Sequence, residues 1–564
     1  MKDYLAGQLQ NVLAAIDGVP ADFVVEFETP ANPDHGDLST NAAMQLARHL
    51  RKAPRAIAED IAARLDALPL DRKRVTSVDV AGAGFINFRF ATTYLQDGLA
   101  EVLSAGSDFG RTADGTGKRV LVEYVSANPT GPLTVGHGRN AVLGDTVANL
   151  LEWTGYDVTR EYYYNDAGLQ MRILGESVRA RYRALVNPNE PTKEIEGPSG
   201  DAIAVPETFP ETGYLGGYIE EIAEGLVEKH GKALYDTSEV EVFKKAAEDA
   251  IFPDIESTLA RLGIRMDSHF NEHTLYTSNA IWQTLDRLRE KGYVYEDDGA
   301  VWFRTTDLGK DKDTVLVKSS GEPTYRLPDI AYHANKLDRG FDLLIDVFGA
   351  DHIATYPDVL NGVKILGYDE SKIDVIIYQF VTLVRGGQPV KMSTRKATYV
   401  TLDDLMDEVG EDVTRFFFMM RSPNTHLEFD LDLAKEASDK NPVFYLQYAH
   451  ARICAILRKA EETGFEFSGN AELGLLTHEA EEALIKVLLA FPDSIREACT
   501  LKEPHKLATY LRDVAVAFNQ FYQHCRIIGE ERGLATARMA LATGTRTVLA
   551  NGLTVLGLSA PERM

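Results

Sequence analysis

Cysteine is scarce in this chain. Its 564 residues hold three, Cys454, Cys499 and Cys525, far apart, odd in number and without a CxxC pair or paired histidines nearby. That excludes a disulfide framework and offers no zinc-ligand spacing, so the three read as buried thiols of a reducing compartment. Long apolar runs are missing as well. No stretch approaches the roughly 20 residues that a membrane-spanning helix needs, and the opening MKDYLAGQLQ is polar and helix-like. The expectation is a soluble, cytoplasmic protein with no membrane partner. Positive charge is also in short supply: 59 Lys and Arg stand against 85 Asp and Glu, a net charge of −26. Such a chain does not bind phosphate backbones indiscriminately. A nucleic-acid partner would have to be met by local clusters, of which Arg48, Arg51, Lys52 and Arg55, then Arg452, Arg458 and Lys459, then Arg512, Arg526, Arg532 and Arg538 are candidates. Taken alone they read as solvated helix faces. Repeats of solenoid period and low-complexity tracts are absent too. What remains is a globular chain, 45% hydrophobic and 26% charged, long enough for about three domains.

What is present speaks loudest from Glu123 to His137, EYVSANPTGPLTVGH. The preceding KRVLVEYV is β-branched and apolar, and GRNAVLGDTVANLLEWTG repeats apolar residues at helical spacing until Gly155. This is the first strand-to-helix unit of a nucleotide fold. The missing side chain of Gly136 lets a ligand approach the backbone, and the new helix supplies unpaired N–H groups and a positive dipole end. A second loop, VKMSTR at 390–395, follows the apolar DVIIYQFVTLV and a turn at Gly386 and Gly387. Lys391 and Ser393 therefore sit on a loop leaving a strand end. In an open parallel sheet, ligands bind outside the carboxyl ends of strands, where strand order reverses. Two phosphate-seeking loops, on the first and last strands, are expected to meet there.

Composition divides the chain. Residues 1–106 mix helices such as STNAAMQLARHLRK with strands such as SVDVAGAGFINFRF, a small α+β unit closed by the linker-like SAGSDFGRTADGTGKR. A nucleotide-binding body spans 107–431, with an insertion near 187–265 where NPNEPTKEIEGPSGDAIAVPETFPETG is too polar and Pro-rich for a core element. Residues 294–317 are strand-like, and 432–564 are almost entirely amphipathic helix, an all-α bundle.

The two loops resemble the HIGH and KMSKS motifs of class I aminoacyl-tRNA synthetases, and the text around them is similar to arginyl-tRNA synthetases of bacterial type over nearly the whole chain. Besides SANPTGPLTVGHGR and VKMSTR, the pieces HGDLSTNAAMQLA, GFINFRF, YLQYAHAR, FNQFYQHCR and LSAPERM carry the likeness in order. Thr134 departs from the pattern, standing where the first motif histidine is usual, and Thr394 with Arg395 replaces the commoner Lys and Ser.

The resemblance implies a Rossmann-like parallel-sheet catalytic domain with an insertion, an N-terminal α+β domain that touches the tRNA elbow, and a C-terminal helical domain that binds the anticodon. It implies ATP with Mg2+ as substrate, L-arginine and tRNA(Arg) as partners, no resident metal, and a monomer that activates arginine only with tRNA bound. Residue by residue, it assigns ATP to Pro129, Thr134, Gly136, His137, Lys391, Met392 and Ser393, with His137 and Lys391 catalytic. Arginine falls to Glu123, Ser126, Asn128, Glu272, Tyr325, Asp329 and His352, and the tRNA elbow to Phe85 and Asn87. The chemistry agrees: a guanidinium carries several donors in a planar fork, resists deprotonation and demands paired carboxylates. In the terminal helices Tyr445, Phe518 and Phe521 read as core, leaving other Tyr and Arg free to stack on unpaired bases. Two rivals are a noncatalytic RNA-binding paralogue, suggested by Thr134 and the altered lysine motif, and a nucleotidyltransferase that activates a small carboxylate without RNA.

Overall fold

The structure, a computed structural model, describes residues 1–30, 32–166, 168–196, 202–390, 400–462 and 471–564. Five parallel strands form its centre, in the order Ile373–Tyr378, Leu343–Gly349, Arg119–Glu123, Asp157–Tyr164 and Ser268–Asn271. The strand earliest in the chain is thus the middle one. Its alternate residues enter two different cores: Val120 and Val122 join the larger, and Leu121 joins a second one with Leu344 and Ile330. Burial on both faces explains why KRVLVEYV is an unbroken apolar run rather than an alternation. Strand order reverses between Arg119–Glu123 and Leu343–Gly349, so a crevice opens at their carboxyl ends.

Helix Val135–Trp153 follows the middle strand and is buried almost all round. Gly144 lets it close on the sheet, since a Cβ there would lie 2.3 Å from Tyr124. The apolar DVIIYQFVTLV, read as one strand, is two. Ile373–Tyr378 belongs to the central sheet, whereas Val381–Arg385 pairs with Gln388–Pro389 and Leu427–Asp430 in another. The break falls at Gln379, whose carbonyl accepts from Arg139 at 2.5 Å and whose N–H donates to the Pro423 carbonyl at 2.9 Å.

The expected insertion is more ordered than its polarity suggests. Thr192–Glu196 and Ala202–Pro206 form a hairpin, and Phe209 is buried with Val205 and Ala180 in a small core of its own. Helices Gly217–His230 and Glu241–Arg261 then place Ile219, Phe243, Ile251 and Leu259 in the large core, completing the crossover to strand Ser268–Asn271. Among the described residues each of these strands has one partner, and edge strands tolerate Pro. Residues 294–317 form an antiparallel sheet of Val294–Asp297, Ala300–Phe303 and Thr314–Val317.

Before this body lies a three-stranded antiparallel sheet, ordered Leu38–Thr40, Phe85–Phe90, Val75–Ala81, packed on helices Lys2–Leu13, Ala42–Leu50 and Pro54–Ala67. After it come five long helices, from Pro442–Glu462 to Arg532–Val555, with Phe518 and Phe521 fully buried. The linker-like run at 104–119 is tied down: Asn551 donates to the carbonyls of Gly106 and Phe109, both at 2.9 Å.

Candidate active site

At the carboxyl end of the middle strand the chain turns sharply. Val125 and Ser126 both adopt positive φ, 65° and 41°, which is rare for non-glycine residues and costs roughly 1–3 kcal/mol each. The turn is held from several sides. Val125 N–H donates to Asn140 Oδ1 at 2.6 Å, and Ser126 N–H to the Tyr124 carbonyl at 2.9 Å. Ser126 Oγ donates to Glu123 Oε1 at 2.9 Å and accepts from the Tyr163 N–H at 3.2 Å. Beyond it Pro129 is buried, and Asn128 Nδ2 donates to Gln170 Oε1 at 2.5 Å.

Thr134 then caps helix Val135–Trp153. Its N–H donates to His137 Nδ1 at 3.1 Å, and its Oγ1 lies 3.3 Å from the same nitrogen. With Nδ1 accepting, the ring proton of neutral His137 belongs on Nε2. Burial lowers the pKa of His137 to about 4, so near pH 7 this imidazole is an uncharged donor. Gly136 faces open space: a Cβ there would meet only Thr134 Oγ1, at 3.8 Å, whereas one on Gly138 would press Leu402 and Phe418. The first glycine leaves room for a ligand; the second is needed for packing.

Lys391, Met392 and Ser393 lie outside the described residues. Both flanks of their loop are placed. Val390 N–H donates to the Leu383 carbonyl at 2.8 Å, and on the return Thr401 pairs antiparallel with Thr134 while Leu402 N–H donates to the Leu133 carbonyl at 2.8 Å. The second loop therefore ends against the first.

Two sets of carboxylates stand at the sheet edge. Glu272, directly after strand Ser268–Asn271, is 6% exposed, and burial raises its pKa. Asp329 lies in the first turn of helix Arg326–Asp338, its N–H bonded to the Tyr325 carbonyl at 3.2 Å. Burial pushes Asp329 up to about 7, with Glu123 and Glu272 adding repulsion and His333 and Lys336 offsetting part of it. Neither acid has an ion-pair partner among the described residues. Tyr325 caps that helix at the surface, 72% exposed. His352 stacks on Phe348, ring centroids 4.9 Å apart, and lines a small cavity with Asp329 and His333.

The second set lies beneath. Glu123 is buried and bonded to the fully buried Lys336, which also meets Asp346 at 2.5 Å. His333 spans the gap, with Nε2 3.0 Å from Asp346 Oδ2 and Nδ1 2.7 Å from the Asp329 carbonyl. Burial alone would raise Asp346, but Lys336 and His333 outweigh it and hold the carboxyl well below its usual range. Glu123, expected on the substrate, is bonded to Lys336 and Ser126.

The crevice gathers Glu123, Ser126, Glu272 and Asp329 around Tyr163, whose phenol is raised by burial and then by Glu272, Asp329 and Glu123. Phe85 and Asn87 stand apart, in the N-terminal sheet. Asn87 pairs with Ser39 on one side and Asp79 on the other and is 4% exposed, while Phe85 at the strand's start is half-buried. Arg538, one of the basic candidates, is buried against Glu481 at 2.6 Å and serves packing. Sequence reading passed over Asn140, Gln170, Lys336 and Asp346. For Lys336 a signal existed, a cation amid the apolar IAYHANKL. Among the described residues no cluster of acids, histidines and cysteines could hold a metal, and no helix is long and apolar enough to cross a membrane.

Comparison with known proteins agrees with this geometry. Residues 98–430 match the catalytic domain model of class I tRNA synthetases (R), residues 2–90 the arginyl tRNA synthetase N-terminal domain, and residues 446–564 the DALR anticodon binding domain. An arginine–tRNA ligase of Salinibacter ruber is 62% identical over 564 residues, covering 100% of both chains. One from Pelodictyon phaeoclathratiforme is 50% identical, again over 100% of each. The solved Thermus thermophilus arginyl-tRNA synthetase shares the fold, with a TM-score of 0.79 over 100% of both chains at 23% identity. The chain belongs to the arginyl-tRNA synthetase family of class I aminoacyl-tRNA synthetases.

Proposed function

We propose that this protein is an arginine–tRNA ligase that uses ATP to convert L-arginine to arginyl-adenylate, releasing pyrophosphate, and then transfers the arginyl group to the terminal ribose of tRNA(Arg). The carrying observation is the pair of buried acids, Glu272 and Asp329, without an ion-pair partner among the described residues. A buried carboxylate is unfavourable until it is paired, and a guanidinium supplies charge and a fork of donors together. Lysine, a point charge, would leave acceptors unmet. Tyr325 covers the outer side, His352 flanks Asp329, and Ser126 and Asn128 take the amino acid's own α-groups. Glu123 acts through Ser126 rather than on arginine.

Activation needs little covalent help. The arginine carboxylate is already ionised and attacks the α-phosphate in line, so positioning and charge neutralisation carry the reaction. Pro129 and Gly136 leave the backbone open to the nucleotide, and Thr134 orients His137, whose Nε2–H donates to a phosphate or ribose oxygen. Lys391, with Met392 and Ser393 on its loop, brings an ammonium to the β- and γ-phosphates. Mg2+ enters with the nucleotide as a counter-ion to those phosphates.

For tRNA, the exposed Tyr448 and Tyr522, with Arg452 lying 4.6 Å over the Tyr522 ring, offer stacking surface on the terminal helices. We assign residues 432–564 to the anticodon, 1–106 to the tRNA elbow through Phe85, and 107–431 to catalysis. The protein works as a cytoplasmic monomer, and activation waits for bound tRNA. Arginine-dependent exchange of pyrophosphate into ATP, with and without tRNA(Arg), tests this. Exchange only with tRNA is expected, and Lys391→Ala should abolish most of it while ATP binding persists. Exchange driven by another acid without RNA would refute the assignment.

A further inference from the structure

Asn140 belongs to none of the roles assigned above, yet it touches three walls of the crevice. It lies one turn beyond His137 on the same helix and is 6% exposed. Its Oδ1 accepts from Val125 N–H at 2.6 Å, and its Nδ2 donates to the Val347 carbonyl at 2.8 Å. One amide thus ties the exit of the middle strand, the neighbouring strand across the order reversal, and the helix that presents His137. It also holds the least favourable backbone in the site. Val125 is β-branched and sits at φ 65°, a conformation that glycine adopts freely and valine does not. Without an acceptor for its N–H the turn would relax toward extended backbone, and Ser126 and Asn128 would swing with it.

We infer that Asn140 is a positioning residue for amino-acid activation: by clamping Val125 in the left-handed turn and bridging to Val347, it fixes where the α-groups of arginine meet His137 and ATP. This rests on the reading of Ser126 and Asn128 as α-group contacts. The residue acts through geometry, so its loss should appear in turnover. Misplacement by about 1 Å costs on the order of 10²-fold in rate.

The test uses the full-length protein with tRNA(Arg), measuring kcat and KM of pyrophosphate exchange beside the melting temperature. Asn140→Ala should lower kcat on the order of 10²-fold, with KM for ATP changed by no more than about threefold. The decisive comparison repeats Asn140→Ala in a Val125→Gly background. Glycine needs no clamp to turn, so the kcat loss on removing Asn140 should shrink several-fold there. Equal losses in both backgrounds, or a lower melting temperature with kcat intact, would overturn the inference. If Asn140→Ala does not fold, Asn140→Asp decides instead: it keeps the acceptor for Val125 and loses only the donor to Val347, so kcat should fall by less than about tenfold, and a loss on the order of 10²-fold would overturn the inference. Ser126→Ala and Asn128→Ala separate this from the contact reading: if they leave KM for arginine unchanged, the contacts are wrong, whatever Asn140 shows about the turn.

Discussion

Two pairs of buried carboxylates lie within one crevice and differ in a single respect. Glu123 and Asp346 share the ammonium of Lys336, whereas Glu272 and Asp329 have no ion-pair partner among the described residues. In the paired set Asp346 is held far below its usual range although burial raises Glu123; in the other both acids are pushed up, Asp329 to about 7. The lower pair is architecture, joining the two central strands to the helix that bears Asp329. The upper pair holds the two acids proposed for the guanidinium. On that proposal the electrostatic cost lies where substrate would relieve it.

The largest effect should come from breaking the satisfied pair. Lys336→Met leaves two buried acids without their counter-ion, and loss of one partner in such a cluster costs roughly 3–5 kcal/mol. Thermal or denaturant unfolding should show that loss, and an unchanged midpoint would mean that the lower pair is no more structural than the upper. Asp329→Asn sharpens the contrast from the other side. The free protein should be as stable or more stable, since an unpaired acid has gone, while KM for arginine rises by roughly 10²-fold, about 2.7 kcal/mol. Equal harm to stability from both substitutions would erase the distinction.

A smaller and graded effect follows from pH. Folded Asp329 keeps its proton to about pH 7, above its ordinary 3.8, while in the unfolded chain it has ionised. The folded state therefore binds the extra proton between those limits, and stability falls as pH rises through that window, the whole penalty being present above 7. Arginine requires the ionised form. Its affinity should rise with pH and level off above 7, being roughly tenfold weaker at pH 6 than at pH 8. Calorimetric titration at several pH values checks this, and Glu272→Gln, which removes one source of repulsion, should move the midpoint down. A flat profile would place Asp329 outside the guanidinium site.

Much of this was legible in the residues, for local reasons. The strand, loop and helix around Glu123 to His137 obey period and capping rules, so they declare themselves without tertiary help. DVIIYQFVTLV did not, because its break depends on Arg139, 240 residues away in sequence. Asp346 declares no role until the sheet brings it against Lys336, and Asn140 looks like one polar residue in an apolar helix. Asn87, which the resemblance puts at a tRNA contact, lies inside a sheet. The hairpin at 192–206 was hidden by a composition that suits edge strands as well as loops.

Thr134 gives the smallest expected effect and the finest test of how the first loop works. It replaces an imidazole at the motif's first position, yet its backbone N–H orients His137 and its pairing with Thr401 closes the second loop's return. Both contacts are made by the main chain and survive a change of side chain. Thr134→His should therefore alter kcat for activation by no more than about threefold, adding a second imidazole near the phosphates while giving up a capping hydroxyl worth roughly 0.5–2 kcal/mol of helix stability. Thr134→Pro removes the N–H that holds His137 Nδ1 and should be far more damaging, freeing the ring to rotate and its proton to change nitrogen. Pyrophosphate exchange by the two variants tells the contributions apart: if histidine changed turnover more than proline did, the side chain rather than the main chain would be what this position supplies.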